Sequence, residues 1–429
     1  MAVKRSTLLL AVLSVVVLVV VGTLAYMYWY APRPPEEIKI GIIYHSGDPV
    51  DAIAVKAGEL AVREINEKGG LLGRPVKLLV EDCKGEVPLA VSAYEKLVTK
   101  ERCIYIVSAR GAEVLLAMQE RGATLYKEYP HLLSSPVGTD EFCDRVRTDY
   151  EKYKFSFRVS AFSNREWTRI AVGFLKDLKE KWGLKKIAVL YEDLVWTKPI
   201  RDGDPRFNYP PFREQLKAIG LEVVYEATIA PGEKMFLPIF EAIAKSGAEL
   251  ISGFHLCYID TVTFCKQWAA SPARNTPIII GWGAPGLLAY WNWTGGACLG
   301  GIVPWPQVPF DYPPPCPSFS KTWEKLYKEY GVTWSYRSYL YNDIKFFAAA
   351  VEKAGTLDVE KIIKTMEEIE VPGIVGIMKL DKRTHEPVVG FPYIDLWMGQ
   401  WQGSGKLVII WPPQLAQAEL KTLQELRGR

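Results

Sequence analysis

What this chain lacks narrows its function more than its composition does. Basic residues do not cluster: 52 Lys and Arg stand against 49 Asp and Glu, the formal net charge is +3, and no run is dense enough to track a phosphate backbone. Nucleic acid is therefore not an expected partner. Histidine occurs four times in 429 residues. The cysteines, at 83, 103, 143, 257, 265, 298 and 316, form no C-x-x-C pair and have no His at ligand spacing, so neither a zinc site nor any other metal site is expected. No G-x-S-x-G elbow, H-E-x-x-H helix or Walker loop occurs. Nothing here supports an enzyme, no catalytic residue is assigned, and no cofactor is expected.

What is present begins with an almost unbroken apolar run from Leu8 to Tyr30, preceded by Lys4 and Arg5. As a helix it would reach about 30 Å, the thickness of a bilayer core, with its basic start on the cytoplasmic side. Tyr26, Tyr28, Trp29 and Tyr30 suit the outer lipid–water interface. Residues 1–30 read as one N-terminal transmembrane helix or, alternatively, a cleaved signal segment. The run is longer than a usual signal core and lacks a clear small-x-small site, which favours the anchor. Ala31-Pro32-Arg33-Pro34-Pro35 then makes a stiff spacer over 31–37. The body is expected on the outer face of the plasma membrane, where seven cysteines permit up to three disulfides.

From Ile38 onward, short β-rich runs alternate with helical periods and Gly stops. Strands are expected over 38–44, 76–80, 104–107 and 131–134, with helices over 90–98 and 113–127 between them. Ile53, Ala57, Leu60, Ala61 and Ile65 mark one face of the first helix. A second series follows, with strands at 186–191, 222–227, 250–252 and 278–280. The fold class is α/β, two doubly wound lobes of mainly parallel sheet. Residues 195–209 interrupt the order and read as a long loop at a strand's carboxyl end, the edge where open α/β sheets bind ligands.

The string Glu64-Ile65-Asn66-Glu67-Lys68-Gly69-Gly70-Leu71-Leu72-Gly73-Arg74-Pro75-Val76-Lys77-Leu78 joins the first helix to the second strand. Gly69 and Gly70 suit a left-handed helix end, and Gly73-Arg74-Pro75 suits a turn. This string resembles the type I periplasmic solute-binding proteins that include the leucine/isoleucine/valine receptors of ABC transporters. Pro231-Gly232-Glu233-Lys234, Tyr341-Asn342-Asp343, Val351-Glu352-Lys353-Ala354-Gly355 and Gly373-Ile374-Val375-Gly376 agree in order. The resemblance covers about residues 37–413. It implies a three-strand hinge with crossings near 158, 302 and 378, so that 38–158 with 303–377 form lobe 1 and 159–302 with 378–413 form lobe 2. Residues 414–429 would be a tail helix.

The resemblance also implies the function: an extracytoplasmic binding protein, a monomer, that encloses a small solute by hinge closure and delivers it to permease subunits. A ligand-binding sensor shares this fold, but no second membrane span follows Trp411-Pro412-Pro413. Family ligand contacts map onto His45 and Ser46, the segment Arg110-Gly111-Ala112, Thr139, Trp196, His255 and Trp282. Arg110 and Thr139 are expected to hold a polar or anionic group, replacing the family's serines, while Trp196 and Trp282 pack the ligand's body. The family's acidic partner for an ammonium group would lie near Trp282-Gly283-Ala284, where nothing is acidic; Glu113 and Asp343 are possible substitutes. The cargo is therefore expected to be branched-chain-amino-acid-like, or another amino acid, amide or aromatic solute.

Overall fold

A computed structural model describes residues 16, 17, 19–21, 36–332 and 336–428. Five strands form one fully parallel sheet: β1 (Ile38–Tyr44), β2 (Val76–Asp82), β3 (Tyr105–Ser108), β4 (Leu132–Ser134) and β5 (Ser156–Phe157), in the order β2-β1-β3-β4-β5. Helices on both faces explain why Ile38, Ile40, Ile42 and Ile43 of β1 are all buried rather than alternating with polar residues. A second sheet takes β6 (Lys186–Glu192), β7 (Glu222–Ile229), β8 (Leu250–His255), β9 (Ile278–Ile279) and β10 (Ile302–Pro304) in parallel. A small antiparallel pair, β11 (Val371–Gly373) and β12 (Gly376–Met378), stands apart. The antiparallel pair β13 (Met398–Trp401) and β14 (Leu407–Trp411) then closes one edge of the second sheet, giving the order β14-β13-β10-β9-β8-β6-β7.

Six helices matter for the site: α1 (Pro49–Glu67), α2 (Val87–Thr99), α3 (Ala112–Leu125), α4 (Asp140–Thr148), α5 (Asn164–Trp182) and α6 (Leu340–Ala354). Asp48 starts α1 by accepting the Val50 amide, with Pro49 at the first helical position. Ala54, Ala57, Leu60, Ala61 and Ile65 face the core. Gly69 and Gly70 end it at φ of 99° and 82°. At Gly70 a Cβ would stand 1.9 Å from the Arg74 carbonyl oxygen, so the turn into β2 closes only on glycine. α6 returns to the first sheet, where Phe347 stacks on Tyr105 with centroids 4.5 Å apart.

The chain passes from the first sheet to the second between β5 and β6, returns after Pro304, and passes again between β12 and β13. These passages are tied together by buried polar groups. Arg158 has no exposed surface; its Nε donates to the Val137 carbonyl (2.9 Å), Nη2 to the Thr139 carbonyl and Nη1 to Glu386. Its amide donates to the His385 carbonyl, and the His385 ring stacks on Phe157 at 4.2 Å. On the second passage Trp305 Nε1 donates to the Tyr339 hydroxyl (2.7 Å). Trp305 and His385 both hold left-handed backbone, at φ of 57° and 56°, which bulky residues keep only where their surroundings dictate it.

Two expectations change, and a third falls outside the described residues. The segment 195–209 is no open loop: it holds a 3-10 turn (Val195–Thr197), a short helix (Lys198–Asp202) and a second turn (Pro205–Phe207). Thr197 Oγ1 donates back to the Glu192 carbonyl at 2.6 Å and Asp204 caps the second turn, local bonds that composition alone understates. No disulfide forms: all seven cysteines are free, and five are buried, with burial pushing the Cys103 thiol up to about 12 and the Cys298 thiol up to about 11. The expected anchor over 1–30 and the spacer residues 31–35 lie outside the described residues, apart from 16, 17 and 19–21. Among the described residues no helix is long and apolar enough to cross a membrane.

Asp343 of α6 is fully buried between Ser134 of β4 and Ser160 of the first passage. Burial raises its carboxyl from 3.8 to about 7, against the lowering effect of the two serine hydroxyls. Ser160 Oγ faces both the Asp343 carboxyl, to which it donates, and the Tyr339 carbonyl at 3.1 Å. The folded state thus keeps a proton that the unfolded chain releases above about pH 4. Stability contributed at low pH is lost as pH rises through the folded value near 7. Asp343→Asn is expected to flatten the decline in Tm between about pH 4 and 7 relative to the unsubstituted protein, by scanning calorimetry. An unchanged pH slope would refute the protonated state.

Candidate functional site

The carboxyl ends of β1, β3 and β4 carry one rim. His45 donates its amide to Asp51 Oδ2 (3.1 Å), and Ser46 donates both its amide (3.1 Å) and hydroxyl (2.5 Å) to Asp82. The Ser46 hydroxyl, then the Lys84 amide, hold the Asp82 carboxyl below the usual range. Gly111 and Ala112 open α3, so its first-turn amides face this rim. Thr139 precedes α4 without capping it through its side chain; its carbonyl is held by Arg158. The β3 and β4 loops are joined by Ser135 Oγ, which donates to the Ser108 carbonyl at 2.9 Å.

Arg110 lies on this rim but is already engaged. Its Nη1 donates to Asp51 Oδ2 at 2.8 Å and to Asp48 Oδ2 at 3.3 Å. Asp51 is 0% exposed, so the guanidinium neutralises a carboxylate that would otherwise be buried as a bare charge. Two carboxylates of its own lobe thus share the guanidinium that is expected to meet an anionic group of the ligand.

The second rim is built from the carboxyl ends of β6, β8 and β9. Trp282 sits at its centre, its amide donating to the Leu256 carbonyl at 3.0 Å. The Trp196 ring stands edge-on to Trp282 with centroids 6.2 Å apart, so these two predicted residues do meet. His255 does not join them at the surface. It is the last residue of β8 and fully buried, stacked on Tyr191 at 5.6 Å and edge-on to Phe212 at 4.8 Å. Burial lowers its imidazole to about 3, so it is a neutral core residue rather than the ligand contact expected. The exposed side chain of that loop is Tyr258, 56% exposed and 6.4 Å from Trp282.

An acidic group does lie beneath this rim, but it comes from another strand. Glu192 ends β6, is fully buried, and its Oε1 accepts three successive amides: Cys257 (2.7 Å), Tyr258 and Ile259 (2.9 Å). Burial raises its carboxyl while those amides pull it back down. Oε2 makes no well-aligned hydrogen bond and has the Trp196 indole as its neighbour. The pattern Tyr191-Glu192-Asp193 after a strand was the available signal. Of the substitutes expected, Asp343 is buried at the hinge and Glu113 is exposed in the first turn of α3.

The two rims are linked by Asn164, whose amide donates to the Gly138 carbonyl (2.9 Å) and whose Nδ2 donates to the Trp196 carbonyl (3.4 Å). Beside it, the Arg165 amide donates to Asp140 (3.1 Å), its guanidinium pairs with Asp144, and Arg206 reaches Glu141 at 3.3 Å. Thus Asn164 bridges the Gly138 and Trp196 carbonyls.

Removing the Arg110 guanidinium leaves Asp51 buried without its counter-ion. Arg110→Ala is expected to lower unfolding stability by roughly 2–3 kcal/mol, measured by denaturant titration, and adding Asp51→Asn should restore part of it. A stability unchanged in the single variant would overturn the assignment.

A model of the periplasmic binding protein family matches residues 37–406. A Leu/Ile/Val-binding protein of Rhizobium johnstonii is 27% identical over 240 residues, covering 54% of this chain and 59% of that relative's length. A solved structure from Silicibacter pomeroyi, ascribed to a branched-chain amino acid ABC transporter, superposes with a TM-score of 0.76 at 17% identity, covering 90% of this chain and 99% of that one. An ABC transporter substrate-binding protein from Desulfitobacterium hafniense, solved in complex with Leu, gives a TM-score of 0.64 at 18% identity, covering 87% and 100%. At those identities the two structures speak for the fold. With a family match over most of its length and the corresponding two-sheet architecture, the chain belongs to the periplasmic binding protein family.

Proposed function

We propose that this chain is the substrate-binding protein of an ABC transporter: it captures a small solute between its two rims, closes by hinge motion, and presents the closed form to permease subunits. The observation that carries the reading is the pair of strand-end rims joined through three chain passages, which lets two rigid sheets close on a ligand. The relatives described as Leu/Ile/Val-binding and as ABC transporter proteins support transport over sensing. In this reading the lobes divide as 38–158 with 303–377 and 159–302 with 378–413. It acts as a monomer outside the cytoplasm, held to the membrane by residues 1–30. Chemistry on the protein's part is not required, since binding and release suffice for delivery.

The ligand contacts in this proposal are Ser46, Gly111, Ala112 and Thr139 on the first rim and Trp196, Tyr258 and Trp282 on the second. Partly exposed indoles and a phenol offer flat apolar area with little side-chain entropy to lose. A thermal-shift screen of amino acids, amides and aromatic solutes tests it. A true ligand at a hundred times its Kd should stabilise the fold by about 2.7 kcal/mol and shrink the radius of gyration in solution scattering. Trp282→Ala should weaken that ligand about tenfold, roughly 1.4 kcal/mol, beyond any change in the Tm of the ligand-free protein. If no small solute changes either melting or scattering, the binding-protein reading fails.

A further inference from the structure

The second rim has more definition than a generic apolar wall. Three rings meet Trp282 at steep angles: Trp196 at 80° and 6.2 Å, Tyr258 at 68° and 6.4 Å, and Trp167 at 50° and 5.3 Å. They form a corner of aromatic faces rather than a flat stack. Behind it lies the Glu192 carboxylate, fully buried, with the Trp196 indole as a hydrogen-bonding neighbour and Oε1 holding the amides of the loop that carries Tyr258. A carboxylate beside the Trp196 indole N–H, with its Oε1 on those amides, puts negative charge close behind the corner, where little solvent screens it.

The opposite rim adds no compensating positive charge. Its guanidinium, Arg110, is bound by Asp48 and Asp51, and Asp82 beside it is bonded to Ser46, so three carboxylates stand with one cation. Lys84 and Lys198 are exposed on flanking turns. A free carboxylate on the ligand would therefore meet an already neutralised arginine. A primary ammonium group would fare little better at the corner, because its three N–H donors need acceptors and Glu192 is sealed beneath the rings. An alkylated ammonium has no such demand: it is weakly hydrated, apolar at its surface, and attracted to ring faces.

We infer that the cleft selects an organic cation bearing a methylated, quaternary ammonium group, seated in the Trp196–Tyr258–Trp282 corner above Glu192. This rests on the solute-binding reading and names its substrate class. Glu192 acts here as a positioning residue, through the 257–259 amides and through its field, and does not touch the ligand.

Titration calorimetry of the full chain with choline, its uncharged isostere 3,3-dimethylbutan-1-ol and leucine tests the inference. Choline is expected to bind, the isostere at least tenfold more weakly, and leucine not measurably. Trp282→Leu should weaken choline at least tenfold and Trp282→Phe should keep part of the affinity, each compared with leucine and the isostere on the same folded variant. Isostere binding equal to choline, or choline failing to bind while leucine binds and closes the lobes, overturns the cation class and leaves the binding-protein reading standing. If choline, leucine and the wider solute panel all fail to shift melting or scattering, both fall together.

Discussion

The two lobes work as one molecule because a single guanidinium is buried where the chain first leaves the five-stranded sheet. Arg158 binds two carbonyls of the loop leading into α4, pairs with Glu386 on the third passage, and through its own amide holds His385. An arginine is suited to this because its planar fork can serve several acceptors at once without losing charge. Once it is buried, its partners are committed: a fully desolvated cation without them would cost several kcal/mol. The same bonds set the carbonyl of Thr139, so the hinge and the first rim share a support.

Around this anchor the other passages are held by uncharged or protonated groups. Ser160 and Asp343 tie the first passage to α6, and Trp305 ties the second to Tyr339 at the start of that helix. Hydrogen bonds of this kind fix direction at modest net energy, which suits segments that must bend while keeping register. Left-handed backbone at Trp305 and His385 falls on these passages and not in the sheets.

The rims divide their chemistry by sheet. The first is polar and self-satisfied, with Ser46 on Asp82 and Arg110 on Asp51; the second is aromatic over a buried carboxylate. Glu192 and Arg110 illustrate one rule, that a buried charge close to a cleft is paired or amide-bonded from within its own lobe. In the proposed cleft, a ligand would meet ring faces on one side and bonded polar groups on the other.

Alternation of β-rich and helical segments, the Gly69-Gly70 stop and the Gly73-Arg74-Pro75 turn were legible in the residues, because each depends on neighbours a few positions away. Hence the α/β class, the first helix's buried face and the strand-end placement of Ser46, Arg110, Trp196 and Trp282 could be read directly. Pairing could not. Asp51 and Arg110 lie 59 positions apart, Glu192 and the 257–259 amides about 65 to 67, and Arg158 and Glu386 228. Nothing local marks them as partners. His255 turned inward for a related reason: side chains alternate along a strand, so its facing depends on where β8 stops relative to its neighbours. The residues alone determined the α/β class and the family resemblance. Which of those charges remain available to a ligand was decided only by long-range packing, because a charge's availability depends on what it is buried against.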